Sequence, residues 1–156
     1  MSSSPRIAII GGGWYGCQLA SSMMLMGCEV VLFEKDSRLF SGASGKNQFR
    51  LHAGLHYPRS SLTRTEISKG LKEFKRRMPQ FVGHLDSCLY AISSFGSSID
   101  FGAYKQIFDA TGIQYEDVPP STYGLTNVEG CLDTRDELFI FVNAPRDYYE
   151  VRLLQR

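Results

Sequence analysis

Apolar and polar positions change period several times along the chain, and each change marks an element. Arg6–Ile10 (RIAII) is a short apolar run that stops at a glycine cluster. A β-branched run bounded by glycine predicts a parallel strand buried on both faces. From Trp14 to Gly27 the spacing becomes helical, with Leu19, Met23 and Met26 four and three apart and Gly27 as the expected C-cap. Glu29–Phe33 (EVVLF) predicts a second buried strand, ending at Glu34. Strand, glycine turn, helix and strand in under thirty residues make a βαβ unit, whose crossover should be right-handed.

Beyond it, Lys35–Tyr57 (KDSRLFSGASGKNQFRLHAGLHY) is rich in Gly, Ser and polar residues and then carries His and aromatics. A long irregular stretch inside a compact domain is usually functional. Ser61–Val82 predicts a helix from Leu62, Ile67, Leu71, Phe74 and Met78, ended or kinked at Pro79. Ser87–Ser93 predicts a strand, Asp100–Thr111 a short amphipathic helix closed by Gly112, and Gln114–Val118 a strand before Pro119-Pro120. Val128–Leu132 and Glu137–Val142 are expected to pair as strands across a turn at Asp133–Asp136. Ala144–Gln155 predicts a last helix, with Asn143 as N-cap and Pro145 in the first turn.

Composition narrows the function classes. The chain has 156 residues, 43% hydrophobic and 21% charged, which is globular and argues against disorder. Seventeen Lys and Arg stand against sixteen Asp and Glu, for a formal charge of +1. That balance removes the electrostatic argument for nucleic acid or an anionic membrane. The basic face at Lys69, Lys72, Lys75, Arg76 and Arg77 has no interleaved aromatics for base stacking and reads as solvated. Cys17, Cys28, Cys88 and Cys131 have no metal-ligand spacing and read as reduced thiols. The N-terminus lacks the order of a signal peptide, and apolar stretches such as Ala20–Gly27 are too short to span a bilayer. The expectation is a cytoplasmic protein, with no metal, nucleic-acid or membrane partner.

The glycine turn carries the most specific chemistry. Gly11-Gly12-Gly13-Trp14-Tyr15-Gly16 satisfies G-x-G-x-x-G. Gly11 allows the turn off the strand, Gly13 lets a pyrophosphate approach the backbone, and Gly16 lets the helix pack closely. The helix then directs its N–H groups at the phosphates. Glu34, eighteen positions after Gly16, sits where a carboxylate can accept both ribose hydroxyls of an adenosine. An acid there favours FAD or NAD over NADP.

The stretches GGGWYGCQLA, VVLFEK and SGASGKNQFRLHAGLHY together resemble an FAD-dependent oxidoreductase of the D-amino-acid oxidase/glycine oxidase superfamily. Within it, the L-2-hydroxyglutarate and glycerol-3-phosphate oxidising flavoenzymes are most similar. The resemblance implies an α/β fold: a Rossmann-like FAD-binding part in residues 1–60, then the start of a mixed α+β substrate domain in residues 61–156. It places Trp14 and Tyr15 with the glycines, Lys35 beside Glu34, and Ser41, Ser44 and Gly45 by the pyrophosphate. Asn47, Gln48 and Arg50 would lie by the ribityl chain and ring edge, and His52, Ala53 and Gly54 match the family's HAG against the isoalloxazine. Gln48-Phe49 departs from the Ser-Gly pair that family members often carry.

His52 and His56 are the candidates to take a proton from a substrate hydroxyl or amine, since imidazole titrates near operating pH. Arg59 and Arg64 read as solvated surface arginines, with a bidentate hold on a substrate carboxylate as the alternative. Hydride from a small hydroxy acid, amine or polyol would go to the flavin. Family enzymes are longer, so the resemblance implies an incomplete fold: a fragment, or one piece of a split enzyme. A homo-oligomer or a complementary chain would then cover its exposed edges. Two other readings stand beside this one: a dinucleotide-binding module without complete catalytic machinery, and an NAD-dependent dehydrogenase.

Overall fold

The structure, a computed structural model, describes residues 4–141 and 143–154. The chain divides into two compact units. One holds the residues up to Phe49 together with those from Phe141 onward; the other is Arg50–Ile140.

In the first unit, β1 (Arg6–Ile10), α1 (Trp14–Leu25) and β2 (Glu29–Phe33) follow the predicted order. β1 and β2 are parallel, in register from Arg6 opposite Glu29 to Ile10 opposite Phe33. α1 ends one residue before expected, with Met26 as C-cap. Gly27 takes the next position at φ +84°, and its N–H donates to the Met24 carbonyl while that of Cys28 donates to Met23. That is the Schellman closure a glycine at this place permits.

The strands are less buried than their sequence predicts. Ile10 is 91% exposed, Phe33 57% and Val31 44%, because this sheet has two strands and only part of its surface is covered. The unit's core lies elsewhere, around Cys17, Leu39, Phe40 and Tyr149. Tyr149 comes from α4 (Ala144–Leu154), stacks on Phe40 at 5.9 Å between ring centroids, and meets Trp14 edge-on at 6.3 Å. Gln155, expected at the end of that helix, lies outside the described residues.

The second unit contains two antiparallel sheets. β3 (Arg50–Leu51), β8 (Leu138–Ile140) and β4 (Val82–His84) form one, with β8 central. β5 (Cys88–Ser93), β7 (Val128–Thr134) and β6 (Tyr115–Val118) form the other, with β7 central. The expected pairing of Val128–Leu132 with Glu137–Val142 is therefore corrected: β7 and β8 lie in different sheets, and Val142 lies outside the described residues. Polar side chains between them decide this. The Thr134 hydroxyl donates to the Gln114 carbonyl at 2.6 Å, and Asp136 accepts from the Gln114 N–H at 2.8 Å. Both tie the end of β7 to the start of β6.

α2 (Ser61–Arg77) starts as predicted, with the Ser60 hydroxyl accepting from the Thr63 N–H, and stops before Pro79. Val82, expected in this helix, opens β4 instead, because Pro79 cannot continue the helical ladder. α3 (Phe101–Asp109) is capped by Asp100. Tyr104 and Phe108 from α3 bury against Leu55, Cys88, Tyr90 and Leu132. Among the described residues, no helix is long and apolar enough to cross a membrane.

Candidate functional site

The turn leaving β1 is built by contacts that side chains would disrupt. Gly11 sits at φ +104°, where L side chains are strained, and its N–H donates to the Phe33 carbonyl at 2.7 Å. A Cβ on Gly16 would come within 1.9 Å of the Gly11 carbonyl oxygen, so only glycine lets α1 approach the strand this closely. Gly13 caps α1 in extended conformation. Above it the Ser44 hydroxyl accepts from the Trp14 N–H at 3.0 Å, and a Cβ on Gly13 would stand 2.9 Å from that hydroxyl.

Glu34, at the carboxyl end of β2, closes the other side. Its Oε2 accepts from the Gly12 N–H at 2.6 Å and its Oε1 from the Asp36 N–H at 3.0 Å. These backbone donors, Asp36 foremost and then Gly12, hold the carboxyl below its usual range and keep it ionised. Gly11, Gly13, Glu34, Lys35 and Ser44 line a hollow of about 280 Å³. A larger one, about 630 Å³, runs along α1 and α4 past Met24, Leu25, Tyr148 and Val151. It lacks the glycine turn's converging backbone, so chemistry favours the smaller hollow.

The loop over the turn is pinned by its own side chains. The Asn47 amide donates to the Ala43 carbonyl at 3.0 Å and its oxygen accepts from the Phe49 N–H at 2.6 Å. The Ser41 hydroxyl donates to the Arg38 carbonyl. Gly45 passes so near the Phe40 carbonyl that a Cβ would lie 1.8 Å from its oxygen. The Trp14 indole packs on Phe40 at 5.2 Å, whereas Tyr15 is 91% exposed. Lys35 and Gln48 are exposed. Cys17 is buried, its thiol pushed up to about 12 chiefly by burial, and contacts the Gly12 carbonyl. It stays neutral and acts as packing.

A second polar cluster lies wholly within the other unit. The carboxylate of Glu137, fully buried just before β8, accepts from the Ala53 N–H at 2.8 Å and from the Tyr90 hydroxyl at 2.7 Å, both at Oε1. Its Oε2 lies 3.2 Å from His52 Nδ1 and 3.9 Å from an Arg50 nitrogen. The Arg50 guanidinium also contacts the Cys88 thiol, whose ionisation burial opposes. The His52 and His56 rings meet edge-on at 4.3 Å, and His56 meets Tyr90 at 5.0 Å. Burial first, then His52, pushes the His56 imidazole below its ordinary value, so it is neutral near pH 7 and able to accept a proton. Burial and the bond to Glu137 push the Tyr90 phenol up, so it remains a donor. Gly54 is buried at φ +113°, and the Tyr104 hydroxyl donates to the Leu55 carbonyl at 2.9 Å, fixing the backbone that carries both histidines.

Arg50, His52, Ala53 and His56 are thus brought together in one cluster. Arg64 is committed elsewhere: its guanidinium donates to the Tyr57 and Pro58 carbonyls. Arg59 is exposed. Glu137 and Tyr90 were not foreseen. The available signal was an acid heading the apolar run ELFIFV, where a buried strand offers no solvent to a carboxylate.

The FAD dependent oxidoreductase family, DAO, matches residues 6–120. The chain belongs to this family. FAD-dependent monooxygenase FPY4 of Fusarium mangiferae is 37% identical over 147 residues, which is 94% of this chain and 40% of that protein. FAD-dependent monooxygenase kojA of Aspergillus flavus is 44% identical over 86 residues, 55% of this chain and 20% of that protein. The dithionite-reduced L-alpha-glycerophosphate oxidase of Mycoplasma pneumoniae, with FAD bound, matches in fold at a TM-score of 0.68 and 18% identity. That match covers 99% of this chain and 43% of the oxidase. The chain therefore spans less than half the length of these proteins.

FAD is the family's cofactor, and the residues of the glycine turn fit it. A Cβ would intrude at Gly13, backbone groups replace side chains at the mouth of β1, and an ionised carboxylate stands beside them at Glu34. That combination suits a diphosphate flanked by a ribose diol.

Proposed function

We propose that this chain supplies the FAD-binding N-terminal part of a flavin-dependent oxidoreductase acting on a small hydroxy acid, amine or polyol. The observation that carries this reading is the turn itself: Gly11, Gly13 and Gly16 without side chains, Ser44 above them and Glu34 anchored beside them. In it the pyrophosphate lies over the first turn of α1 at Trp14 and Tyr15, the positive end of a helix carrying roughly half an elementary charge, beside the Ser44 hydroxyl that takes the Trp14 N–H. Glu34, flanked by Lys35, takes the adenosine ribose. Ser41, Ser44 and Gly45 shape the phosphate side, and Asn47 and Gln48 follow along the cofactor.

Bound flavin would supply the acceptor for a hydride from the substrate carbon. The chain's own contribution at that carbon is proton handling. His56, neutral near pH 7, and His52, backed by Glu137, are the groups we assign to receive the hydroxyl or amine proton. Arg50, a fixed cation in the same cluster, would favour developing negative charge. The monooxygenases among the relatives point to dioxygen as the second reactant.

Visible absorption of the purified protein tests the reading. Flavin bands that titrate with FAD in the wild type and vanish in Gly13→Val support it. A colourless protein that binds NADH with quenched Trp14 fluorescence would replace it with the NAD reading.

The second reading, a dinucleotide-binding module that needs a partner chain or further polypeptide for catalysis, is favoured by the exposure of Ile10, Val31 and Phe33. Apolar strand faces left open to this extent call for a cover. Protein that binds FAD, yet whose flavin no hydroxy acid, amine or polyol reduces anaerobically, decides for it.

A further inference from the structure

Glu137 is a carboxylate with no exposed surface, and such a group costs several kcal/mol to bury unless its oxygens are paired. One oxygen is: Oε1 takes the Ala53 N–H and the Tyr90 hydroxyl. The other has no hydrogen bond, although it faces His52 Nδ1 at 3.2 Å. His52 Nδ1 and Arg50 Nε are likewise buried without a hydrogen-bond partner, so three such atoms belong to this one cluster. Meanwhile the His52 side chain keeps 30% of its surface open, with Nδ1 in its buried part. A small ring rotation turns the close approach into an Nδ1–H to Oε2 bond and satisfies both atoms at once.

We propose that Glu137 is a positioning residue: it holds the Nδ1–H tautomer of His52, so that Nε2 is left as the proton acceptor on the ring's open side. This rests on the reading of His52 as a group that faces the substrate. It adds the reason a strand-leading glutamate is fully buried. Oε1 fixes the carboxylate through β5 and the HAG backbone, and Oε2 then fixes the imidazole. Arg50, His56, Cys88, Tyr90 and Tyr104 are the other titratable or charged groups around this carboxylate. Of these, Arg50 places a positive charge 3.9 Å from Oε2.

The test is nitrogen NMR of imidazole-labelled full chain, with and without FAD, at a pH where His52 is neutral. In the wild type the Nδ1–H form should exceed the Nε2–H form by about tenfold or more, as one hydrogen bond to a charged acceptor provides. In Glu137→Gln that excess should collapse, and in Tyr90→Phe, which leaves Oε2 in place, it should persist. A wild type in the Nε2–H form, or an unchanged excess in Glu137→Gln, would overturn the proposal. If Glu137→Gln does not fold, the wild-type and Tyr90→Phe spectra decide by themselves. Because the tautomer is read without cofactor, a protein that binds no FAD would defeat the cofactor reading and leave this result standing.

Discussion

A single added methyl separates several glycines of the nucleotide turn from any other residue. At Gly16 the clash is with backbone, the Gly11 carbonyl at 1.9 Å, which cannot swing away. Gly16→Ala should therefore cost ~1–3 kcal/mol as an overpacking change, read as a lower midpoint in urea unfolding. At Gly13 the nearest atom is the Ser44 hydroxyl, a movable group, so Gly13→Val should fold while losing FAD, measured as flavin content by titration. Unchanged flavin content would place the diphosphate elsewhere. Glu34→Gln keeps the shape but weakens both backbone contacts and the proposed ribose contact. FAD affinity should fall several-fold, and an unaltered dissociation constant would remove Glu34 from the site. His56 gives a pH signature. Its folded-state value is depressed, so the unfolded chain binds the proton first as pH falls. Its contribution to stability is complete above the unfolded value, near 6.5, and is lost as pH falls from there through the folded value. Melting temperature measured down this range should drop less in His56→Asn than in the wild type.

Among the elements, helices were the most legible in sequence and strand pairing the least. α2 and α3 begin where a polar residue precedes an apolar period, and both caps are made: Ser60 to Thr63 and Asp100 to Ala103 at 2.8 Å. Asp100→Ala should cost ~0.5–2 kcal/mol of stability. Hydrogen exchange should show the loss first in α3 and in the core it covers, while β1 and α1 stay protected. The β7 and β8 runs looked like hairpin partners because a short polar turn joins them. Nothing local announces that Thr134 and Asp136 turn back to Gln114, sending β8 to a different sheet. Register with a distant strand depends on partners some 50 residues away, such as Cys88 opposite Thr134.

For the whole molecule, the open apolar surface of β1 and β2 is the dominant fact. Ile10, Val31 and Phe33 belong to strands that doubly wound folds ordinarily cover on both faces. Expressed as these 156 residues alone, the chain should self-associate in a concentration-dependent way or require a complementary polypeptide. Sedimentation velocity across a range of concentrations checks this, and a monomer at all of them would show that the exposed strands need no cover.

The sequence by itself determined the βαβ unit, the glycine turn and the acid at its far side, because each depends on residues within a few turns of one another. G-x-G-x-x-G dictates a backbone path by sterics alone, and the acid lies one helix and one strand further on. Only the tertiary structure decided what stands behind His52. Glu137 is 85 positions away in the chain and reaches the imidazole through the assembly of β3 beside β8. A buried carboxylate acquires meaning from the donors that surround it, and these are gathered by folding from segments that carry no mark of one another.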